Sequence, residues 1–341
     1  MRRFALTTIA VLVAACSDAQ TAPASPVTAP PTPARPVTTP SAPAPPIASS
    51  REILVDLHAW DAATSASRRA AADDVARRLP DFALSRMETF SCGGQTHEVA
   101  IYAHAKTGME FVLVPVGTFV MGAPKGDADE LGSDESWTRP HRVALTSPFL
   151  LSRTECTEAA WDRVGGTDER KWHDPKVPIE NVTWRACVDW CRKAGLELPT
   201  EAQWEYGCRA GTTTRWCTGD DERLLASVAW YAPDFDYPMQ QVAGKAPNAL
   251  GLFDVHGNTW ELCRDTFGPY PRDAVVDPLA DAPDHPTYGP VERVTRGGIA
   301  YNAGPQGDAV LAAPSAWRGQ AGPDDHGDQT GFRPAKTVPM E

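Results

Sequence analysis

The 341 residues are enough for one large domain or two small ones. A formal charge of −12, with no cluster of Lys and Arg, leaves nothing to grip a phosphate backbone, so nucleic acid is excluded as a partner. Eleven Trp, 26 Gly and 32 Pro agree with a loop-rich domain.

The chain opens with a positive Arg2-Arg3 pair, and residues 4–15 form an apolar run too short to span a bilayer as a stable helix. The run ends in Leu12-Val-Ala-Ala-Cys16, small residues directly before a cysteine. This pattern resembles a bacterial lipoprotein signal, which implies a signal peptide over residues 1–15 and a lipid on Cys16 as the mature N-terminus. Buried acyl chains tether a protein by about 0.8 kcal/mol per methylene. Ser17 stands where some inner-membrane retention signals carry Asp, which leans the destination to the outer membrane of the cell envelope. Residues 22–46 hold ten of the 32 prolines. Such a segment buries no core and tends to extended polyproline conformations, so residues 16–50 read as lipid anchor and stalk.

Residues 51–107 read as an N-terminal extension of helix plus strand. Residues 62–79 are rich in Ala and Arg, with Asp73 and Asp74 ahead of Arg77 and Arg78, which predicts a solvated helix stopped by Pro80. Phe90-Ser-Cys-Gly-Gly94 is a turn, and His97-Glu-Val-Ala-Ile-Tyr102 alternates as a strand. His97 and His104 read as surface histidines, because no third ligand is spaced near them. Met109-Glu-Phe-Val-Leu-Val-Pro115 and Gly117-Thr-Phe-Val-Met-Gly122, broken by Pro115 and Gly117, predict a hairpin. Asp127, Asp129, Glu130, Asp134 and Glu135 then form an acidic loop, a charge run that stays hydrated.

Thr157 is placed to cap a helix through Trp161. Further on, Cys187, Trp190, Cys191 and Ala194 fall at i, i+3, i+4 and i+7, one apolar face ended by Gly195. Thr200 and Gln203 form a capping box, and the helix it opens carries Trp204 and Cys208 inward before Gly211. Cys187 and Cys191 alone are half a metal site; they read as buried hydrophobes or disulfide partners. Setting Cys16 aside leaves seven cysteines, so at least one stays free or pairs between chains. An exported domain forms disulfides where geometry permits. Cys208–Cys217 and Cys191–Cys263 are the guesses, and the connectivity stays open.

The stretch Pro247-Asn-Ala-Leu-Gly-Leu-Phe-Asp-Val-His-Gly-Asn-Thr-Trp-Glu-Leu-Cys-Arg-Asp265 is the densest in chemistry. Asp254 and Glu261 are oxygen ligands, and Gly257 and Thr259 can turn carbonyls inward between them. Four oxygens from one short loop suit a hard cation such as calcium. The spacing is not that of the regular twelve-residue calcium loop, and the alternative is an ordinary Gly/Asn turn before a buried Trp260. His256 reads as a loop residue. So do His285 and the Asp324-Asp-His326 run. No Gly-x-Ser-x-Gly elbow, phosphate-cradling Gly loop or His-Glu-x-x-His is present, so no catalytic residue is assigned.

Five blocks stand in order: Phe111-Val-Leu-Val-Pro-Val-Gly-Thr-Phe-Val-Met-Gly122, Leu198-Pro-Thr-Glu-Ala-Gln-Trp-Glu-Tyr-Gly-Cys-Arg-Ala-Gly211, the stretch just described, Arg293-Val-Thr-Arg-Gly-Gly298 and Gly331-Phe-Arg333. Over residues 108–334 the chain resembles the formylglycine-generating enzyme (sulfatase-modifying factor) family. The resemblance implies one irregular α+β, C-type-lectin-like domain over 108–334, with residues 335–341 as a tail. It implies calcium on Asp254, Gly257, Thr259 and Glu261, and a second site near Asp234 in which Ser227 replaces an Asn.

The family's oxidases bind copper through two cysteines after the Arg-Gly-Gly motif, soft thiolates suited to Cu(I). Counted without gaps, those positions hold Asn302 and Gly307, and no cysteine follows Cys263. No copper is expected. A branch with histidine-bound iron needs an extra helical domain, for which His58, His97 and His104 lack the spacing. The resemblance therefore points to a branch that keeps the fold without the oxidase cysteines: an envelope lipoprotein binding an envelope protein or peptide. The rival is an oxidoreductase of the same family, acting on protein cysteine or another substrate through a non-standard site.

Overall fold

The computed structural model describes residues 49–123, 135–167, 169–171, 173–230, 239–282, 291–298, 314–327 and 329–340. The leader with Cys16, the stalk, the acidic residues from Asp127 to Asp134, Asp234, His285, Asn302 and Gly307 lie outside them. Among the described residues no helix is long and apolar enough to cross a membrane.

Three short helices come first: α1 (Ser50–Ile53), α2 (Leu57–Ala62) and α3 (Ser65–Arg78). The single helix expected over 62–79 starts later because Thr64 is extended and its hydroxyl caps Ser67 N at 3.1 Å. The expectation of a fully solvated helix is also corrected. Asp74 pairs with Arg77 and Arg78 on the wet side, while Ala71, Ala72 and Val75 are buried.

Two long strands follow, β1 (Phe82–Cys92) and β2 (Gln95–His104), antiparallel around Gly93-Gly94, both with positive φ. They belong to a five-stranded sheet of order β1-β2-β3-β6-β12, completed by β3 (Glu110–Val114), β6 (Phe149–Ser152) and β12 (Ala335–Thr337). The expected hairpin over 109–122 does not form. β2 and β6 already occupy both edges of β3. The next strand, β4 (Gly117–Met121), therefore pairs with β5 (His141–Leu145) in a second sheet that also holds β8 (Val275–Val276). Residues 335–337, expected as tail, form an edge strand against β6.

The five-stranded sheet is a wall between two cores, and alternation sorts its residues. Phe111, Leu113, Ala100, Tyr102 and Leu150 face one core; Val112, Val114, Val99, Ile101 and Leu151 face the other. The first core is covered by α3 and by α6 (Trp184–Ala194), whose Cys187, Trp190, Cys191 and Ala194 are all buried as the periodicity predicts. α6 begins at the Thr183 cap and ends at left-handed Gly195. Thr157 likewise caps α5 (Glu158–Val164). The second core is organised by α7 (Glu201–Arg209) and by a third sheet, order β10-β9-β7-β11. Its strands are β7 (Trp260–Thr266), β9 (Arg293–Arg296), β10 (Gly319–Ala321) and β11 (Thr330–Gly331). A short helix α4 (Glu135–Thr138) precedes β5.

The histidines correct the sequence reading. His97 and His104 are 3% and 1% exposed rather than on the surface. His97 lies 2.8 Å from Asp61 Oδ2 and 3.2 Å from the Ala210 carbonyl. His104 packs against Phe82 and Phe111, and burial pushes its pKa down to about 4.

Candidate functional site

α7 carries the site. Its capping box is reciprocal: Thr200 Oγ1 accepts Gln203 N at 3.1 Å, and Gln203 Oε1 accepts Thr200 N at 2.9 Å. The helix is buried along most of its length, including Glu201, Glu205 and Arg209. Buried charges persist only when paired, and these find partners in distant motifs. Glu205 accepts Gly122 N and Arg209 Nε, each at 2.9 Å, and pairs with Arg296 of the Arg-Gly-Gly motif. Burial pushes its carboxyl up, but the Arg209 and Arg296 guanidiniums outweigh it and hold it below the usual range. Glu201 receives Arg318 at 2.5 and 2.8 Å and the Tyr270 hydroxyl at 2.9 Å. Arg296 also donates to the carbonyls of Ser315 and Trp317.

A second ion pair adjoins the first. Trp204 on α7 donates its indole N–H to Glu261 Oε2 at 2.7 Å. Arg333 of the Gly-Phe-Arg motif clasps Glu261 through Nε and Nη2, 2.6 Å each. Its other contacts go to the carbonyls of Ser152, Arg153 and Phe253. Sequence reasoning assigned no role to Arg296, Arg333 or Glu205, because nothing local tells a buried arginine from a surface one. The two motif arginines were nonetheless flagged by the blocks in which they stand.

The residues read as calcium ligands come together around this pair. Asp254, Thr259 and Glu261 are each at most 1% exposed. Asp254 sits at φ +56 and accepts Ala243 N at 2.7 Å through Oδ2, while its Oδ1 has no partner among the described residues. Burial pushes its carboxyl up, against the Ala243 amide and Arg333. Glu155 lies near: burial, then the charges of Asp254 and Glu261, drive its carboxyl well above the usual range, and its Oε2 is also unpartnered. Gly257 has φ +112, and a Cβ there would fall 2.2 Å from the Trp230 carbonyl, so only glycine fits. Thr259 donates its hydroxyl to the Gln329 carbonyl.

The four residues differ in how well they suit a cation. Among the described residues the buried Asp254 Oδ1 meets no donor, which suits a hard cation. The Thr259 carbonyl and Glu261 Oε1 both border the space where a Cβ of Gly297 would stand, 3.4 and 3.8 Å away. Glu261 has three of its roughly four lone-pair directions taken by Arg333 and Trp204, which leaves one on Oε1. Among the described residues no three His, Cys, Asp or Glu side chains group to hold a metal by themselves, so main-chain oxygens must complete any such site. Of the second site, Ser227 turns its hydroxyl onto the Leu224 carbonyl at 2.6 Å.

Asn248, read only as a turn former, is a structural keystone. Its amide donates to the Gly207 and Cys208 carbonyls at the end of α7, and its oxygen accepts Leu250 N and Leu252 N. His256 is fully buried and accepts Cys217 N at 3.0 Å. All seven described cysteines are unbonded, so neither Cys208–Cys217 nor Cys191–Cys263 is a disulfide in the structure.

Over β9 and β10 lies a cleft of about 660 Å³, lined by Trp260, Thr295, Gln320, Asp324 and His326 among others. The Trp260 ring leans against Trp317, centroids 6.4 Å apart. Asp324 pairs with Arg185 at 2.9 Å and His326 Nδ1 meets the Asn181 carbonyl at 3.0 Å, so this run is held by protein partners. No cysteine is among the residues that line the cleft.

Mixed sheets and short helices, a loop-rich frame and arginine-locked motif blocks define an irregular α+β domain of the C-type-lectin-like class. The chain belongs to the sulfatase-modifying factor family: residues 98–338 match the sulfatase-modifying factor enzyme 1-like domain. It is 31% identical over 213 residues to the formylglycine-generating enzyme of Streptomyces coelicolor, covering 57% of this chain and 60% of that one. It spans 54% of the corresponding enzyme of Mycobacterium tuberculosis. In structure it is similar to Treponema denticola variable protein 1, with TM-score 0.56 and 22% identity over 75% of this chain and all of that one. PvdO from Pseudomonas aeruginosa matches at TM-score 0.55 and 23% identity, with the same coverage. These two likenesses speak for the fold alone.

Proposed function

We propose that the chain is a lipid-anchored envelope protein whose domain binds an envelope protein or peptide, is stabilised by calcium and does not oxidise cysteine. One observation carries this reading: no cysteine occurs after Cys263, where the family's oxidases hold their copper thiolates. Asn302 is a poor ligand for Cu(I), and Gly307 offers no side chain. The cleft over β9 and β10 presents the part-exposed Trp260 ring beside the exposed Asp325, a lining suited to a basic, partly apolar peptide. Calcium would rest on Asp254 Oδ1, the carbonyls of Gly257 and Thr259, and the remaining lone pair of Glu261. There it would neutralise buried carboxylate charge that Arg333 offsets only in part. The anchor reading rests on Leu12-Val-Ala-Ala-Cys16.

The test uses the full chain, oxygen, a reductant and a peptide containing Cys-x-Pro-x-Arg, with and without copper. Mass spectrometry should find no formylglycine. Turnover above the no-enzyme control, lost on mutating a native cysteine, would move the chain to the oxidoreductase reading. Two parts of the proposal are checked separately. Chelator should lower the melting temperature, with Asp254→Asn abolishing the response, and an unchanged curve would remove the calcium. Cys16→Ala should leave the membrane fraction, and a variant still processed and membrane-bound would remove the anchor.

A further inference from the structure

The seven described thiols are not equivalent. Cys156, Cys187, Cys191, Cys208 and Cys263 are at most 1% exposed. Cys92 is the one that is part-exposed, at the end of β1 where the chain enters the Gly93-Gly94 turn. Its Sγ lies 3.8 Å from Cys217 Sγ and 3.4 Å from the Cys217 carbonyl. The approach is close along the backbone too: a Cβ on Gly93 would fall 2.1 Å from the Cys217 oxygen. Cys217 is held from the other side by the His256 bond to its amide, and it packs in a small cluster with Trp216, Leu225, Val228 and Ala229. The hairpin tip and the 216–229 segment are therefore seated against each other, with two sulfurs at van der Waals contact and one reachable from solvent.

We propose that Cys92 and Cys217 form an oxidisable pair that closes into a disulfide with a small or protein disulfide as oxidant, clipping the β1–β2 hairpin to the 216–229 segment. A disulfide needs its sulfurs about 2.05 Å apart, so closure requires side-chain rotation of less than 2 Å from the present contact. The step balances as thiol–disulfide exchange. The Cys92 thiolate attacks one sulfur of the oxidant and expels the other as thiolate, giving a mixed disulfide. The Cys217 thiolate then attacks the Cys92 sulfur and releases the second oxidant thiol. Two protein thiols are oxidised and one disulfide is reduced to two thiols. Attack must begin at Cys92, because Cys217 is buried. The clip is independent of the ligand and calcium readings, and it leaves five thiols, all in the core.

The experiment oxidises the reduced full chain in detergent with glutathione disulfide, blocks remaining thiols in denaturant and maps peptides by mass spectrometry. The Cys92 and Cys217 peptides should appear joined, lighter by two hydrogens, with the five core cysteines blocked. The oxidised chain should melt several degrees above the reduced one, as expected for closing a long loop. Cys217→Ser should stop at a stable glutathione adduct on Cys92. The wild-type map decides the matter even if that variant misfolds. A Cys208–Cys217 bond, a wild-type chain that stays glutathionylated at Cys92, or seven blocked thiols would each overturn the proposal.

Discussion

The two faces of the central sheet are held by different physics. On one face, Trp161 and Trp190 stack with centroids 5.9 Å apart and Phe332 sits edge-on to both, packed with Cys156, Cys187 and Cys191. Each side chain there contributes mainly through the area it removes from water. On the other face, α7 threads Glu201 and Glu205 through Arg209, Arg296 and Arg318, and its Trp204 reaches the Glu261–Arg333 pair. There each charge is tolerable only because the next one is present. The apolar face should respond to mutation by the size of the hole. The charged face should respond by how many partners are stranded.

The largest effect is expected from breaking the charged face one-sidedly. Arg296→Met takes one of two guanidiniums from Glu205 and one of two from Glu201, and should cost about 3–5 kcal/mol in urea unfolding. Adding Glu205→Gln should recover part of that loss, since the second change removes a buried carboxylate left with Arg209 as its one guanidinium. Two losses that simply sum would erase the distinction between the faces.

A comparable effect should follow pH. Burial, with Glu201 adding to it, pushes the Asp265 carboxyl from 3.8 to about 7. A raised carboxyl favours the folded state when protonated, so its contribution is complete below about 4 and is lost as pH rises through 7. The full span is worth on the order of 4 kcal/mol. His104, pushed down to about 4, works the opposite way: its contribution is complete above 6.5 and lost as pH falls through 4. The two slopes oppose each other between pH 4 and 6.5. His104→Phe should remove the rising arm and leave stability falling steadily from pH 4 to 7 in thermal melts. A flat profile in that variant would contradict the Asp265 assignment.

Smaller effects should mark local and apolar terms. Thr200→Ala removes the cap of α7 and should cost about 1 kcal/mol, partly regained in Thr200→Ser. Cys191→Ala should cost about 0.8 kcal/mol, one buried methylene's worth, and Cys187→Ala a similar amount. Neither thiol should react with an alkylating reagent in the native state. Fast labelling of either would mean that the apolar face opens.

Much of the apolar face was legible in the chain. The i, i+3, i+4, i+7 set on α6, its Gly195 stop, and the Thr200–Gln203 box are local patterns, and local backbone geometry enforces them. β2 was legible as a strand, though Val99 to Tyr102 are buried in succession because its two faces meet two cores. The candidate site was legible only as a set of blocks. Asp254, Gly257, Thr259 and Glu261 were singled out from composition, yet that Arg333 would arrive 72 residues later to hold Glu261 was not. The misplacements share one cause. His97 and His104 could not be called buried without knowing that α2 and α3 would cover β2. The Pro115-Val-Gly117 break looked like a hairpin turn although β3 had already taken β2 and β6 as partners.

The sequence alone determined the helix boundaries written in caps, the faces written in periodicity, and the family, written in the order of its five blocks. The tertiary structure alone decided which strand of a break pairs where, which guanidinium meets which carboxylate, and which two of seven thiols touch. Capping and periodicity act within a few residues, so a linear reading captures them. Ion pairing and strand exchange join residues separated by tens to more than a hundred positions. Their energies depend on burial that exists only once the chain has closed on itself.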